Sequence, residues 1–282
     1  MRPGHWPELA VRGASVGLGL WAALLGCPAL AQSAAATCDA GDVAAVAAIA
    51  TSGVVGGAAA TLPADRLVAQ ACKRWPNDPT IRLAALAFAG DTEAVPGERD
   101  LELRVAMLDA ASGKVLAFYA QAMGEDAAFE LAADSLRLDT ARYDLAKGVR
   151  AIGVVVRSAA RGPSCPDFYS NQALTLLVRK GRSLRPVLQR DLYAWRRVKG
   201  EPCSLGKGDV ITDVANLSVS MAPQGHAGYA DIVLTANVST VESTVGSDTD
   251  TERTRRVRQV LHYNGQRYVP VADGNPRWPF DN

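Results

Sequence analysis

Past residue 31 the only histidines are His226 and His262, 36 residues apart. A zinc hydrolase needs a cluster of His and carboxylate ligands, and two scattered histidines do not supply one. The cysteines there are Cys38, Cys72, Cys165 and Cys203, with no C-x-x-C spacing, so no metal site is expected. That stretch has no G-x-S-x-G nucleophile turn, and the chain has no G-x-x-x-x-G-K-[ST] phosphate loop. What stands out is basic: Arg182, Arg185, Arg190, Arg196 and Arg197, with Tyr193 and Trp195 interleaved. Guanidinium groups beside aromatic rings can grip an anionic polymer or an acidic protein partner. The outer faces of two ordinary strands packed beside an acidic segment would show the same pattern.

Such a segment exists. Residues 86–145 carry 12 acidic and 5 basic side chains, whereas residues 149–208 carry 3 acidic and 12 basic. The totals, 30 Lys and Arg against 29 Asp and Glu, give no general reason to expect nucleic acid or a membrane surface as partner. Carboxylates are plentiful, so a hydrolase built on two of them stays open as the alternative to a binding protein. Ser204-Leu205-Gly206-Lys207 fits the S-x-x-K nucleophile motif and so resembles penicillin-recognising serine enzymes. Their S-D-N and K-T-G elements are missing, and the flanking Gly206, Gly208 and Cys203 point to a loop.

The start of the chain bears on compartment. Arg2 and Arg12 precede the uncharged, mostly apolar Ala14–Leu25, too short for a stable membrane-spanning helix. Residues 1–31 therefore read as a signal peptide, with Pro28 ending its helix and Ala29-Leu30-Ala31 offering a cleavage site. Leu24-Leu25-Gly26-Cys27 also fits a lipobox, which would instead anchor Cys27 to lipid, although Pro28 is unusual after a lipidated cysteine. Soluble export is the preferred reading, and no later apolar run approaches membrane length. Cutting after Ala31 removes Arg2, Arg12 and Glu8, leaving 251 residues with 28 basic and 28 acidic side chains. The Ala- and Arg-rich composition suits a GC-rich bacterium, placing the product in the periplasm or outside the cell. In that oxidising setting four cysteines predict two disulfides, Cys38–Cys72 and Cys165–Cys203, each pair lying within one apparent structural region.

The elements that must hold these residues change character along the chain. Residues 32–93 read as a small helical part: Asp42 caps a helix from Val43 to Ala50, and Gly53–Gly57 breaks it. A second helix runs from Pro63 or Ala64 to Arg74 with Leu67, Ala71 and Trp75 four apart; a third spans Thr80–Ala89. The intervening Cys72–Ala84 resembles the junction between two tetratricopeptide helices, but no 34-residue repeat follows. Residues 94–282 read as β-rich. Alternation begins at Leu101–Leu108, turns at Asp109–Lys114 and resumes at Val115–Tyr119. Further strands are expected at 149–158, 173–179, 184–195, 210–221, 229–241 and 254–263, with turns at Lys180-Gly181, Pro223-Gln224-Gly225 and Asn264-Gly265. Arg253, Arg255, Arg256 and Arg258 suit an edge strand, where charge discourages aggregation.

Residues 177–187 align without gaps on 261–271, repeating Leu, Gly, Pro and Val at identical spacing. A duplicated hairpin unit would produce this, and so would the shared chemistry of hairpins. Gly225–Val233 resembles the strand edge of integrin-type propeller repeats, yet the preceding Met221-Ala222-Pro223-Gln224 lacks their calcium ligands. A propeller is thus a remote alternative. The expected fold is α+β: a disulfide-tied helical start followed by a mostly antiparallel sandwich or partial barrel. In overall style the chain resembles uncharacterised exported proteins of proteobacteria, a resemblance that implies no activity. It reads as a non-enzymatic binding or accessory protein of the bacterial envelope, with no cofactor.

Overall fold

The computed structural model describes residues 37–50, 62–90, 95–201, 203, 208–271 and 278–279. The expected signal peptide (residues 1–31), with Cys27, and Ser204–Lys207 lie outside the described residues. Among the described residues one α-helix, α1 (Ala40–Ala47), precedes the strands β1 (Leu67–Arg74), β2 (Ile81–Ala89), β3 (Asp100–Asp109), β4 (Val115–Gly124), β5 (Leu136–Asp139), β6 (Asp144–Ala146), β7 (Val149–Arg150), β8 (Ile152–Arg157), β9 (Phe168–Tyr169), β10 (Gln172–Lys180), β11 (Ser183–Asp191), β12 (Tyr193–Lys199), β13 (Val210–His226), β14 (Tyr229–Ser243), β15 (Thr251–Tyr263) and β16 (Tyr268–Pro270). The protein is therefore mostly β.

Eight strands form one sheet in the order β1-β2-β3-β4-β11-β10-β8-β5. Its two ends approach each other, with the Lys73 Nζ of β1 donating to Thr140 Oγ1 beyond β5 at 2.8 Å, so the sheet is a nearly closed barrel. A second, curled sheet runs β16-β15-β14-β13-β12-β9, and β6 pairs with β7 alone. All pairs are antiparallel except a single parallel bridge, Ser183 with Phe118, between β11 and β4.

Two of the three expected N-terminal helices are strands, and the physical reason is that β2 is covered on both faces. Leu83, Ala85 and Ala87 point into the barrel with Leu103, Val105 and Met107. Ala84, Leu86 and Phe88 point outward under Val43, Val46 and Ala47 of α1. A strand buried on both sides shows an unbroken apolar run instead of alternation, and in alanine-rich sequence that run reads as helix. The helix-junction resemblance at Cys72–Ala84 is accordingly the hairpin between β1 and β2, whose loop is closed by Trp75 N donating to Ile81 O and by Asp78 accepting from Thr80. The expected boundary between residues 93 and 94 falls inside the eight-stranded sheet, between β2 and β3. Asp42 lies in the first turn of α1 and bonds Arg82 Nη2 at 2.5 Å in place of capping.

Both expected disulfides are present, Cys38–Cys72 with Cα atoms 5.1 Å apart and Cys165–Cys203 with 5.8 Å. Such bonds match an oxidising compartment. No described helix is long and apolar enough to cross a membrane. The two similar hairpins also correspond in register: Leu177 pairs with Pro186 and Leu261 with Pro270, while Arg179 pairs with Leu184 and Tyr263 with Tyr268. Their turn glycines, Gly181 and Gly265, both take positive φ. The other expected turn moves: Pro223–Gly225 lies in an irregularity within β13, and the chain reverses at Ala227-Gly228.

Two buried ion pairs hold the barrel. Arg104, fully buried on the α1 side of β3, bonds Glu102 Oε1 at 2.7 Å and donates to the carbonyls of Val46 and Ala47 at 3.0 and 2.7 Å. Replacing Arg104 with Met strands the Glu102 carboxylate and two helix carbonyls, and should cost about 3–5 kcal/mol in urea unfolding. The double replacement Glu102→Leu with Arg104→Met should recover much of that loss. At the end of β4, Glu125 accepts from Arg99 Nε and Nη2 at 2.7 and 2.6 Å and from the N–H groups of Gly97 and Leu131. Burial pushes its pKa up, but the Arg99 bonds and those N–H groups outweigh it and hold the carboxyl below its usual range. A depressed folded pKa means stability present above the ordinary carboxylate pKa of about 4.3 and lost as pH falls through the folded value. Glu125→Gln should therefore lower stability at pH 7 and flatten the stability profile below about pH 5, as read by unfolding at a series of pH values.

Candidate functional site

The basic residues expected to form one surface are divided between two sheets. Arg182, Arg185 and Arg190 belong to the β10–β11 turn and β11, which pairs with β10. Tyr193, Trp195, Arg196 and Arg197 belong to β12, which pairs with β13 and β9. The expected strand 184–195 is broken at Leu192, whose N–H donates to Gln172 O in the first sheet while its carbonyl accepts from Leu217 N in the second.

Their surroundings differ as well. Arg182 is exposed at the turn, and its carbonyl accepts from Phe118 N. Arg185 reaches across to the second sheet, with Nη2 2.5 Å from the hydroxyl of Tyr263, which in turn donates to Gly265 O. Arg197 donates to Pro166 O and lies 3.6 Å from Asp167, with only 7% of its side chain exposed, so it fastens the loop before β9. Arg196 stands opposite Asp213, whose buried carboxylate bonds Thr240 Oγ1 and Arg255 Nη2 at 2.5 Å each. Tyr193 and Trp195 are half-buried, opposite Asn216 and Val214.

Arg190 lines a groove of about 520 Å³ between β11 and β16. Pro186, Gln189 and Arg190 form one wall; Arg267, Tyr268 and Pro270 form the other. Pro186 and Pro270 are the equivalent prolines of the two similar hairpins, so the groove runs between the two copies. Beyond Ser183, β11 has no partner strand on its β4 side among the described residues, and β16 is the last strand of its sheet. Both walls thus offer strand edges. Tyr268, beneath them, donates to Ala230 O at 2.7 Å, and burial, with the nearby Tyr229, Asp231 and Tyr263, pushes its pKa up.

A larger cavity of about 700 Å³ opens at the barrel mouth, lined by Trp75, Ile81, Met107, Asp144, Arg150 and Arg179. Of its charged side chains, Asp144 and Arg150 pair with each other, while Asp78 accepts from Thr80. Arg150 holds Asp144 through two bonds of 2.5 and 2.8 Å, and Arg179 Nε donates to Gly181 O.

A third feature lies at the far end of the second sheet, where the two histidines expected to be scattered are neighbours. Their rings stack with centroids 3.5 Å apart at 17°, beside the buried carboxylate of Asp231. His226 Nδ1 lies 2.9 Å from both Asp231 oxygens, and His262 Nε2 lies 3.6 Å from Oδ2. The β13 irregularity between Met221 and Gly225 brings this about, together with the turn at Ala227-Gly228. Gly225 is required there, since a Cβ would stand 2.2 Å from Tyr229 O. On the other side, Asp231 and His262 sit one step beyond the Ile232–Leu261 pair of β14 and β15.

No known protein family, curated protein or solved structure gives a match to the chain.

The Arg185–Tyr263 contact ties the two hairpins, and its removal should show coupling. Arg185→Met and Tyr263→Phe should each cost about 1 kcal/mol, and the double variant clearly less than their sum, in a thermal or urea double-mutant cycle.

Proposed function

We propose that this is an exported, non-enzymatic binding protein of the bacterial envelope. Its partner is an acidic, extended segment of another envelope protein, bound in the groove between β11 and β16. The observation that carries this reading is the groove itself: two strand edges facing about 520 Å³ of open space, with Arg190 on one wall and Arg267 on the other. An added strand takes affinity from main-chain hydrogen bonds and specificity from side-chain contacts. Acidic side chains on such a strand meet the two guanidinium groups, which favour carboxylates through bidentate bonds. The proline at one position of each wall removes an N–H, so the bound segment pairs only along part of each edge. Two disulfides and the export segment support placement outside the cytoplasm.

Fluorescence anisotropy with a labelled ten-residue peptide alternating Glu with Val or Thr tests this. The protein should bind with micromolar affinity, and Arg190→Ser with Arg267→Ser should weaken binding tenfold or more. Methylating alternate peptide nitrogens keeps the charge but removes the donors, and should abolish binding. An N-methylated peptide that binds as well would rule out strand addition, and an unaffected double variant would rule out the groove. Equal binding of inorganic polyphosphate would replace the protein partner with an anionic polymer.

A further inference from the structure

The cluster at the end of the second sheet takes no part in the groove or the barrel mouth, yet its side chains are ligand types. We propose that His226, Asp231 and His262 form a binding site for one divalent transition-metal ion, with zinc as the best chemical fit. Their donor atoms all lie within 4.8 Å of one another. Zinc bound tetrahedrally, with bonds of about 2.0–2.2 Å to nitrogen and oxygen, has ligand atoms about 3.3–3.6 Å apart. The separations from Asp231, 2.9 Å to His226 Nδ1 and 3.6 Å to His262 Nε2, bracket that spacing.

The chemistry of the donors selects the ion. Two imidazoles and one carboxylate suit zinc, copper and nickel, whereas calcium and magnesium require six or more oxygen ligands. Only 4% of the Asp231 side chain is exposed, and a cation beside it compensates a charge that is otherwise costly to bury. The three ligands come from three adjacent strands, β13, β14 and β15, so the backbone already sets their spacing. The stacked rings must open for both nitrogens to face one ion. His226 can make that adjustment, because half its side chain, 51%, is exposed beside the Ala227-Gly228 turn. Three protein ligands leave a fourth position for water or for a donor brought by a partner. The site is therefore an exchangeable one at the surface, unlike a closed structural site with four protein ligands.

The experiment uses the full chain without a polyhistidine tag, titrated with Co²⁺ and followed by visible absorption, with Zn²⁺ as competitor. One equivalent should bind with the strong absorption of tetrahedral cobalt, and zinc should displace it. His226→Gln and His262→Gln should each weaken binding tenfold or more, whereas Asp134→Asn, an exposed carboxylate outside the cluster, should leave it unaltered. Asp231→Asn should also lose binding. Since Asp231 is buried, the two histidine variants, whose side chains are partly exposed, are the decisive ones. No saturable binding at millimolar cobalt, or histidine variants that bind as tightly as the parent, would overturn the site and leave a hydrogen-bonded His–Asp–His cluster without metal.

Discussion

Leu192 belongs to both sheets at once. Its N–H is spent on Gln172 in the eight-stranded sheet and its carbonyl on Leu217 in the six-stranded one, with no further residue between β11 and β12. A buried backbone group left without a partner is costly, so these two bonds fix where one sheet ends and the next begins. The second core follows from that junction. Leu174, Leu176, Val178, Val187 and Leu188 from the first sheet meet Ala194, Ala215, Leu234 and Leu261 from the second. β10 and β11 thus bury both faces, one in the barrel and one against the second sheet. The groove exists because β11 turns away from β4 after Ser183 to reach this junction, which separates its edge from β16.

The barrel has its own constraint on the other side. Strands β2 and β3 would expose an apolar outer face if α1 did not cover it, and Arg104 secures that cover. Its guanidinium takes the last carbonyls of α1, where a cation also meets the negative end of the helix dipole. Glu102 compensates the charge, and Phe88 lies beneath the guanidinium at 5.9 Å. The Cys38–Cys72 bond ties the residues before the same helix to β1. A helix of eight residues has little stability alone, so its position depends on these contacts.

Much of this was legible in the sequence wherever polar and apolar side chains alternate along a strand, whether the polar face meets water or, as in β3, its Glu102 and Arg104 pair beneath α1. The long strands β3, β4, β8, β10 and β13–β15, the Asn264-Gly265 hairpin, both disulfides and the arginine-bearing edge of β15 follow from local alternation, turn chemistry and cysteine count, whereas the short β5, β6 and β9 do not. Three things were not legible, each for a physical reason. The runs 67–74 and 81–89 lost their alternation because both faces are covered or tied, and alanine suits either secondary structure. The seven residues of the expected basic surface looked continuous because nothing in Arg190-Asp191-Leu192-Tyr193 marks a change of sheet. The histidine pair was invisible because it depends on register across two hairpins and on an irregularity at Ala222–Gln224. One signal was present: Gly225-His226 and Asp231 flank a turn, and His262 precedes the Asn-Gly hairpin in the next strand.

Sheet edges explain why one groove stands apart from the rest of the surface. An exposed edge invites pairing with other chains, and proteins blunt it with charge, proline, brevity or cover. β1 and β5 lie close enough to shield each other, and β9 is two residues long. β15 runs beyond the reach of β16 from Thr251 to Gln259, and its exposed Arg253, Arg255, Arg256 and Arg258 repel a copy of itself. The β11 and β16 edges are guarded more selectively. Proline blocks one position on each wall, while Arg190 and Arg267 reject a basic strand and attract an acidic one. On the proposed binding role, an edge that excludes most strands by charge and register but leaves room for one would serve recognition, because specificity requires that the wrong partners be refused as well as the right one accepted.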